Sequence, residues 1–264
     1  MGILNCTPDS FSDGGRFAAR DAAVAHAEQM LAEGAGIIDV GGESTRPGAQ
    51  DVSVAEEIRR VVPVIEAIVK RFGCIVSVDT VKPEVMHAAC RVGAEMINDI
   101  AALRVPGALE AAAQTGAGVC IMHMQGEPRT MQDAPHYVDV VEEVQTFLSE
   151  RVAACVAAGI GRDRLCVDPG FGFGKRLVHN LRLLSALPVL GDLGVPVLVG
   201  VSRKSMLGEL TGEPVGQRLA AGLAAAVMAV ERGALIVRTH DVRATCDALR
   251  VVMEVSGFGS NNKP

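Results

Sequence analysis

The chain has 264 residues, of which 49% are hydrophobic and 21% charged, with one Tyr, seven Phe and no Trp. A chain of this length buries enough apolar surface to fold without disulfide or zinc support. The formal net charge of −6 and the scarcity of aromatic side chains exclude a nucleic-acid-binding protein, which needs a basic surface and stacking residues.

Short apolar runs rich in Val and Ile alternate along the chain with Ala- and Leu-rich segments. The runs predict strands at residues 2–5, 36–40, 75–79, 95–99, 118–123, 164–168, 196–201 and 234–240. They are nearly continuous in apolar residues, as in parallel strands covered on both faces. Helical spacing of apolar residues predicts amphipathic helices at 22–33, 54–71, 138–158 and 219–232, and Pro83 is expected in the first turn of another helix.

About eight βα units without a linker or charge run predict an α/β fold, namely a (β/α)₈ TIM barrel in a single domain over residues 1–256. A doubly wound open sheet is the alternative, but no G-x-G-x-x-G turn follows the first strand. The segment GFGSNNKP at residues 257–264 predicts a disordered C-terminal tail.

The cysteines and the longest apolar run indicate the cell compartment. The chain has seven cysteines with wide spacing and no C-x-x-C pair, so we expect reduced core thiols in a cytoplasmic protein. The run LAAGLAAAVMAV at residues 219–230 is too short to span a membrane and predicts a buried helix. The first residues lack the charged and apolar regions of a secretion signal. We therefore expect neither a membrane nor a nucleic-acid partner.

Polar residues stand at the end of nearly every predicted strand, and in a barrel these ends meet at the active-site mouth. They are Asn5, Asp39, Asp79, Asn98, His123, Asp168, Ser202, Lys204, Arg238 and His240. Asp39 and Asp99 suit the capping of a following helix as well as they suit function. The others include too many buried acids, amides and cations to be explained without a ligand, because unpaired buried charges cost free energy.

The residue types indicate the class of ligand. Carboxylates and an amide, here Asp79, Asp168 and Asn98, suit a flat heterocycle with parallel N–H donors. The cations Arg46, Lys204 and Arg238 suit a phosphorylated group. His123 is equally consistent with a general base and a packed core residue, and GFGFGK at residues 170–175 resembles a phosphate loop only superficially. No metal-ligand spacing is present, but Mg²⁺ can arrive with a substrate phosphate.

Eight motifs distributed along the chain resemble those of the dihydropteroate synthase family. They are MGILNCTPDSFSDGG (1–15), IIDVGGESTRPGA (37–49), SVDT (77–80), INDI (97–100), MHMQGEPRTMQ (122–132), DPGFGFGK (168–175), GVSRKSMLGEL (200–210) and VRTHDV (237–242). The resemblance runs from residue 1 to about residue 254. It implies a transferase of folate biosynthesis that joins 6-hydroxymethyl-7,8-dihydropterin diphosphate to p-aminobenzoate, requires Mg²⁺, forms a homodimer and is inhibited by sulfonamides.

The resemblance also implies which residues form each part of the site. The pterin would contact Asp79, Asn98, Met122, Asp168, Phe173, Lys204 and Arg238. The diphosphate would be held by Asn5, Arg46, Arg238 and His240, with Mg²⁺ on Asn5. The p-aminobenzoate would contact Phe11, Thr45, Pro47 and Ser202. Catalytic roles would fall to Asp79, Lys204, Arg46 and Arg238.

The implied mechanism begins with departure of diphosphate, which leaves a cationic methylene that Asp79 stabilises and the arylamine attacks. Three alternatives stay open. A methyltetrahydrofolate-binding methyltransferase would share the pterin residues but does not need the arginine-rich loops. A non-catalytic pterin-binding paralogue would be expected to lose Arg46 or Lys204. A phosphosugar lyase would use Lys204 as a Schiff-base amine, which its place beyond the strand disfavours.

Overall fold

The computed structural model describes residues 1–7, 15–44 and 51–261, in which parallel strands alternate with helices. The strands are β1 Gly2–Asn5, β2 Ile37–Gly41, β3 Ile75–Asp79, β4 Met96–Asp99, β5 Gly118–Met122, β6 Leu165–Asp168, β7 Val197–Val199 and β8 Ala234–Val237. The helices are α1 Gly15–Ala32, α2 Val54–Phe72, α3 Pro83–Arg91, α4 Ala108–Thr115, α5 Val140–Ala157, α6 Leu177–Ser185, α7 Ser205–Thr211, α8 Leu219–Glu231 and α9 Val242–Asn261.

The eight strands form one parallel sheet in chain order, and its two edges meet. Just beyond β8, Thr239 pairs in parallel with Gly2 of β1. The backbone N–H of Ile3 donates to the Thr239 carbonyl at 3.1 Å, and the Thr239 N–H donates to the Met1 carbonyl at 3.0 Å. These bonds close the sheet, which confirms the predicted (β/α)₈ barrel and excludes the open-sheet alternative.

The strands bury both faces, as their continuous apolar sequences predict. The outward side chains pack with the helices in the main core, which includes Ile38, Val78 and Val167. The inward side chains form a smaller cluster around Met96 and Cys120. Successive side chains on a strand alternate between faces, so residues two positions apart point to the same face. The residue two positions after each member of the inner cluster therefore points into the barrel mouth.

Helix α2 shows why the sequence places helices where it does. The Ser53 hydroxyl accepts a hydrogen bond from the Glu56 N–H at 3.2 Å and caps the first turn. Acidic residues occupy the first turn and basic residues the last turn, where each complements the helix dipole. The helix ends at Gly73, whose φ of 59° lies in the left-handed region that glycine adopts without strain.

Two expectations differ from the structure at the C-terminal end. Helix α9 runs to Asn261, so residues 257–261 continue a helix where a disordered tail is predicted. Extending an existing helix costs much less than nucleating one, which lets it pass two glycines. Helix α8 is buried only along its alanine face, and Leu219 and Met228 are exposed. Across the described ranges, no helix is both long and apolar enough to cross a membrane.

Candidate active site

The predicted pocket residues on β3 to β6 lie at one end of the barrel. Asp79 is in register with Asn98 on the neighbouring strand, and Met122 is in register with Asp168. The carboxylates of Asp79 and Asp168 both interact electrostatically with Lys204 and with Arg238. The two acids and the two cations therefore lie within electrostatic reach of one another at this end of the barrel.

Arg238 lies between two carboxylates. Its Nη2 donates to Asp79 Oδ2 at 2.8 Å, and its Nε donates to Asp39 Oδ2 at 2.6 Å. Burial, opposed by Arg238 and reinforced by Asp39, raises the pKa of the Asp79 carboxyl to about 7. Asp79 can therefore gain or lose a proton near neutral pH, and its ionised form is available to stabilise a positive charge.

Asp168 is almost fully buried at the end of β6. Its Oδ1 accepts a hydrogen bond from the Gly170 N–H at 2.7 Å, which orients the carboxylate across the mouth. Burial raises the pKa of Asp168, and the Gly170 N–H and the nearby Lys204 counteract that shift. An oriented, buried carboxylate of this kind can accept two parallel N–H bonds from a heterocycle.

Lys204 and Phe173 come together although 31 positions separate them in sequence. The Lys204 ammonium lies 4.2 Å from the centroid of the Phe173 ring, in a cation–π contact. Burial lowers the pKa of Lys204 to about 8, partly offset by Asp168. The preceding residue, Arg203, has a left-handed φ of 59°, which is unusual for a non-glycine residue. Arg203 also pairs with Asp241, so the turns after β7 and β8 are joined.

Ser202 and His240 form the rim beside Lys204. The Ser202 Oγ lies 3.1 Å from His240 Nδ1 and also accepts the His240 backbone N–H at 3.1 Å. Both side chains are half-buried. The structure therefore places Ser202, predicted for p-aminobenzoate, beside His240, predicted for diphosphate.

Met122 belongs to an apolar wall on the opposite side of the mouth. It packs in a cluster with Ile100, Met124 and Met131, and Phe173 lies against that cluster. Thioether side chains adapt their shape, so this wall can follow the face of a planar ring. Met122 and Phe173, both predicted to contact the pterin ring, therefore belong to one apolar cluster.

Asn5 ends β1 at the same edge and is half-buried. Its side-chain amide makes no hydrogen bond to another residue of the described part of the chain. Within that part, no three His, Cys, Asp or Glu residues are grouped so that they could hold a metal. One free amide oxygen is sufficient for a Mg²⁺ ion that takes its other ligands from water and phosphate, so the residues present fit that ion.

Four predicted residues, Phe11, Thr45, Arg46 and Pro47, lie outside the described residues. They belong to the two segments that follow β1 and β2. The structure therefore does not test their predicted contacts with diphosphate and p-aminobenzoate.

His123 is a packed core residue, which answers the question that the sequence left open. Its ring stacks edge-on against Phe147 at 4.9 Å between centroids, and its Nδ1 lies 2.9 Å from the Lys175 Nζ. Burial and the Lys175 charge lower the pKa of His123 to about 3, so the ring is neutral at physiological pH. The contact with Lys175 occupies its Nδ1.

Lys175 has a structural role that its motif did not indicate. Its Nζ also donates to the Gly170 carbonyl at 2.9 Å and the Phe173 carbonyl at 3.1 Å, and the side chain is buried. Lys175, the last residue of GFGFGK, therefore holds in place the loop that carries Phe173. It does not bind phosphate.

The structure decides the role of Asp39, which the sequence leaves open between helix capping and function. The predicted strand ends at residue 40, which places Asp39 near a helix start, but β2 continues to Gly41 and Asp39 lies within the barrel. Strand parity was the available signal, because Asp39 shares a face with Gly41 and not with Val40. Asp99, in contrast, does cap a turn, since its carboxylate accepts the Ala101 and Leu103 N–H groups.

The barrel fold and this site define a class of enzyme that binds a flat heterocycle with several N–H donors and neutralises an anionic group at the rim. The sequence profile described as pterin binding enzyme matches residues 1–240. The dihydropteroate synthase of Escherichia coli K12 is 57% identical over 252 residues, covering 96% of this chain and 89% of that protein.

Solved structures agree with these matches. A Yersinia pestis dihydropteroate synthase with a sulfonamide drug complex superposes with a TM-score of 0.93 at 52% identity, covering 97% of this chain and 94% of that one. The Xanthomonas albilineans dihydropteroate synthase with 4-aminobenzoic acid superposes with a TM-score of 0.92 at 56% identity, covering 97% of this chain and 92% of that one. The chain belongs to the dihydropteroate synthases of the pterin-binding enzyme family. This membership decides against the methyltransferase and lyase alternatives.

Proposed function

We propose that the protein condenses 6-hydroxymethyl-7,8-dihydropterin diphosphate with p-aminobenzoate, forming 7,8-dihydropteroate and diphosphate in folate biosynthesis. The observation that carries the proposal is that Asp79 and Asp168 both interact with Lys204 and with Arg238 at one end of the barrel. The carboxylates suit a ring with N–H donors, and the cations suit a diphosphate. The Xanthomonas relative has been solved with 4-aminobenzoic acid and with 7,8-dihydropteroate, which are the corresponding substrate and product.

The pterin is bound by the inner residues. Asp168 accepts N–H donors from the amino-pyrimidinone edge, and Asn98 and Asp79 face the opposite ring nitrogens. Lys204 lies over Phe173 and donates to the ring oxygen, while Met122 covers a ring face. Together these groups fix the exocyclic methylene at the rim, where Arg238 and His240 receive the diphosphate.

The chemical step exchanges one bond for another. The methylene C–O bond breaks, its electron pair leaves with diphosphate, and the positive charge on the methylene is delocalised into the dihydropterin ring. Asp79 stabilises that charge because its ionised carboxylate is already oriented toward the ring. The arylamine lone pair then forms the C–N bond, and the amine proton is lost. We assign the arylamine to Ser202 and to Phe11, Thr45 and Pro47, the last three of which lie outside the described residues.

We assign Mg²⁺ to Asn5 and to the diphosphate, with Arg46 as a further cation at the leaving group. When bound, the ion neutralises negative charge on the departing diphosphate. The support is the amide of Asn5, which is half-buried at the mouth and makes no hydrogen bond to another described residue.

The test is an assay with both substrates, following dihydropteroate by chromatography and diphosphate by a coupled enzyme. We expect equal amounts of the two products, dependence on p-aminobenzoate, loss of activity in EDTA with recovery in Mg²⁺, and inhibition by a sulfonamide that competes with p-aminobenzoate. Tight pterin binding without any product would contradict the proposal and favour the non-catalytic pterin-binding protein.

We also propose a cytoplasmic homodimer. All seven cysteines have free thiols, which suits a reducing compartment. The apolar side chains of Leu210, Val215 and Leu219 are exposed on α7, the first residue of α8 and the segment between them. Exposed apolar side chains that follow one another closely along the chain suit a self-complementary interface. Sedimentation equilibrium is expected to give twice the chain mass, and Leu219→Glu is expected to shift the mass toward one chain.

A further inference from the structure

Asp39 lies inside the barrel, beneath the site, and connects two of the site residues. It lies within β2, its side chain is fully buried at 0% exposure, and it points into the barrel. A single oxygen, Oδ2, accepts from Arg238 Nε at 2.6 Å and from Asn98 Nδ2 at 3.1 Å. One carboxylate atom therefore joins a residue of β4 to a residue that follows β8, across the width of the barrel.

The packing of the fold alone does not account for this carboxylate. Its second oxygen, Oδ1, is buried without a hydrogen-bond partner among the described residues. Ser77, in register with Asp39 on β3, likewise has a buried and unpartnered hydroxyl. Buried polar atoms without partners cost stability, so an apolar residue here would suit the barrel interior better. The bonds to Arg238 and Asn98 are what Asp39 contributes.

The bond to Asn98 determines which way its amide faces. An amide has one donor end and one acceptor end. Because Nδ2 donates to Asp39, the acceptor Oδ1 is turned toward the pocket, and it accepts no hydrogen bond from the described residues. Asn98 consequently presents an acceptor to the ligand and selects a ring nitrogen that carries a proton.

The bond to Arg238 leaves Asp79 available. Arg238 contacts both acids, but the Asp79 side chain is 17% exposed and Asp39 is not exposed at all. A ligand can reach Asp79 and compete with Arg238 for its oxygen, whereas it cannot reach Asp39. The guanidinium therefore keeps one fixed partner when the pocket fills.

We propose that Asp39 is a positioning residue, which holds the Arg238 guanidinium and the Asn98 amide in their binding orientations while Asp79 is released to the substrate. This role rests on the proposed function, since it concerns the pterin half of the same site. Asp39 touches neither substrate, and it acts through the two residues that do.

The first test is Asp39→Asn, which preserves shape and removes charge. The new amide oxygen is an uncharged and weaker acceptor for Arg238 and Asn98, so it holds both less firmly. Its NH₂ group can donate to Ser77, so the fold is expected to persist with a similar melting temperature. We expect kcat/KM for the pterin diphosphate to fall at least about tenfold, while KM for p-aminobenzoate changes less than about twofold. Unchanged pterin kinetics in a folded variant would overturn the proposal.

Ser77→Ala is the matched control, because Ser77 is equally buried, lies in register on the next strand and bonds neither Arg238 nor Asn98. It is expected to retain the kinetics of the wild type. If it reproduced the loss seen in Asp39→Asn, the effect would come from disturbing the barrel interior, and the proposal would be wrong.

A crystal structure of the wild-type protein with 6-hydroxymethylpterin provides a test that needs neither turnover nor a variant. We expect both bonds to Asp39 Oδ2 to remain while the contact between Arg238 and Asp79 lengthens or breaks. Separation of Arg238 from Asp39 in that complex would refute the positioning role. A wild type that binds the pterin but forms no product would instead refute the proposed function, so the two failures are distinguishable.

Discussion

Replacing Asp168 with alanine is expected to lower the affinity for 6-hydroxymethylpterin about 100-fold or more. Two charge-assisted hydrogen bonds in a buried site are together worth about 3 kcal/mol, and each 1.4 kcal/mol is a factor of ten in the dissociation constant. Isothermal titration calorimetry measures the loss directly, because this ligand lacks the diphosphate and reports only the ring contacts.

The variant Asp168→Asn distinguishes a role of Asp168 in binding the pterin from a role in holding the loop after β6. The asparagine oxygen can still accept the Gly170 N–H, which Asp168 Oδ1 accepts at 2.7 Å, so the turn after β6 is retained. Its NH₂ group faces the ring donors and repels them. We therefore expect this variant to bind the pterin as weakly as Asp168→Ala does. If Asp168→Asn bound normally and only the alanine variant lost affinity, Asp168 would be a loop residue and our assignment would be wrong.

Replacing Asp79 with asparagine is expected to lower kcat about 100- to 1,000-fold, while the pterin dissociation constant rises about tenfold or less. The asparagine retains a hydrogen-bond acceptor for the ring but has no charge to stabilise the methylene cation. Single-turnover measurements of diphosphate release isolate the step in which that charge develops. Equal losses in binding and in kcat/KM, with kcat unchanged, would show that Asp79 only binds the ring.

The variant Asp79→Asn also tests why kcat/KM falls at acid pH. Burial raises the pKa of Asp79 to about 7, opposed by Arg238 and reinforced by Asp39, Glu57 and Asp99. As the pH falls below 7, the carboxyl takes up a proton and no longer stabilises a cation. Wild-type kcat/KM is therefore expected to fall about tenfold per pH unit, whereas the profile of Asp79→Asn has no such limb.

The free energy of unfolding is expected to change with pH in the opposite direction to kcat/KM, falling as the pH rises. An Asp whose pKa is higher in the folded than in the unfolded protein binds more protons when folded, between the ordinary pKa near 3.8 and the raised value near 7. Ionising Asp79 over that interval therefore lowers the free energy of unfolding. Compared with the wild type, Asp79→Asn is expected to lose less stability between pH 4 and pH 7 in ligand-free denaturation experiments.

The elements that sequence analysis predicted well are those with a strong local signal. The strands at Gly2–Asn5 and Ile75–Asp79 match their predictions at both ends, because each is a short apolar run that ends in a polar residue. The strand Val197–Val199 is shorter than its prediction, since its flanking residues belong to the turn that carries Ser202 and Lys204. Apolar character alone does not show where a strand stops pairing.

The site was predicted from strand ends, and that rule succeeded for Asp79, Asn98 and Asp168 because parallel strands present all their carboxyl ends at one edge. It included Asp39 but could not distinguish function from helix capping there, because Asp39 lies within its strand and its partners are other side chains. The partners of Asp39 are 59 and 199 positions away in sequence. No local pattern records contacts across a barrel.

The order of apolar runs and polar strand ends determined the barrel, the edge that carries the chemistry and the kinds of group found there. These properties follow from alternation along a strand and from the parallel sense of the sheet, both of which are local. Only the tertiary structure decided that His123 is held neutral by a buried lysine, that Lys204 lies on Phe173, and that Arg238 is shared between two acids. Protonation and pairing depend on which charges burial brings together, and closing the barrel brings distant parts of the chain into contact.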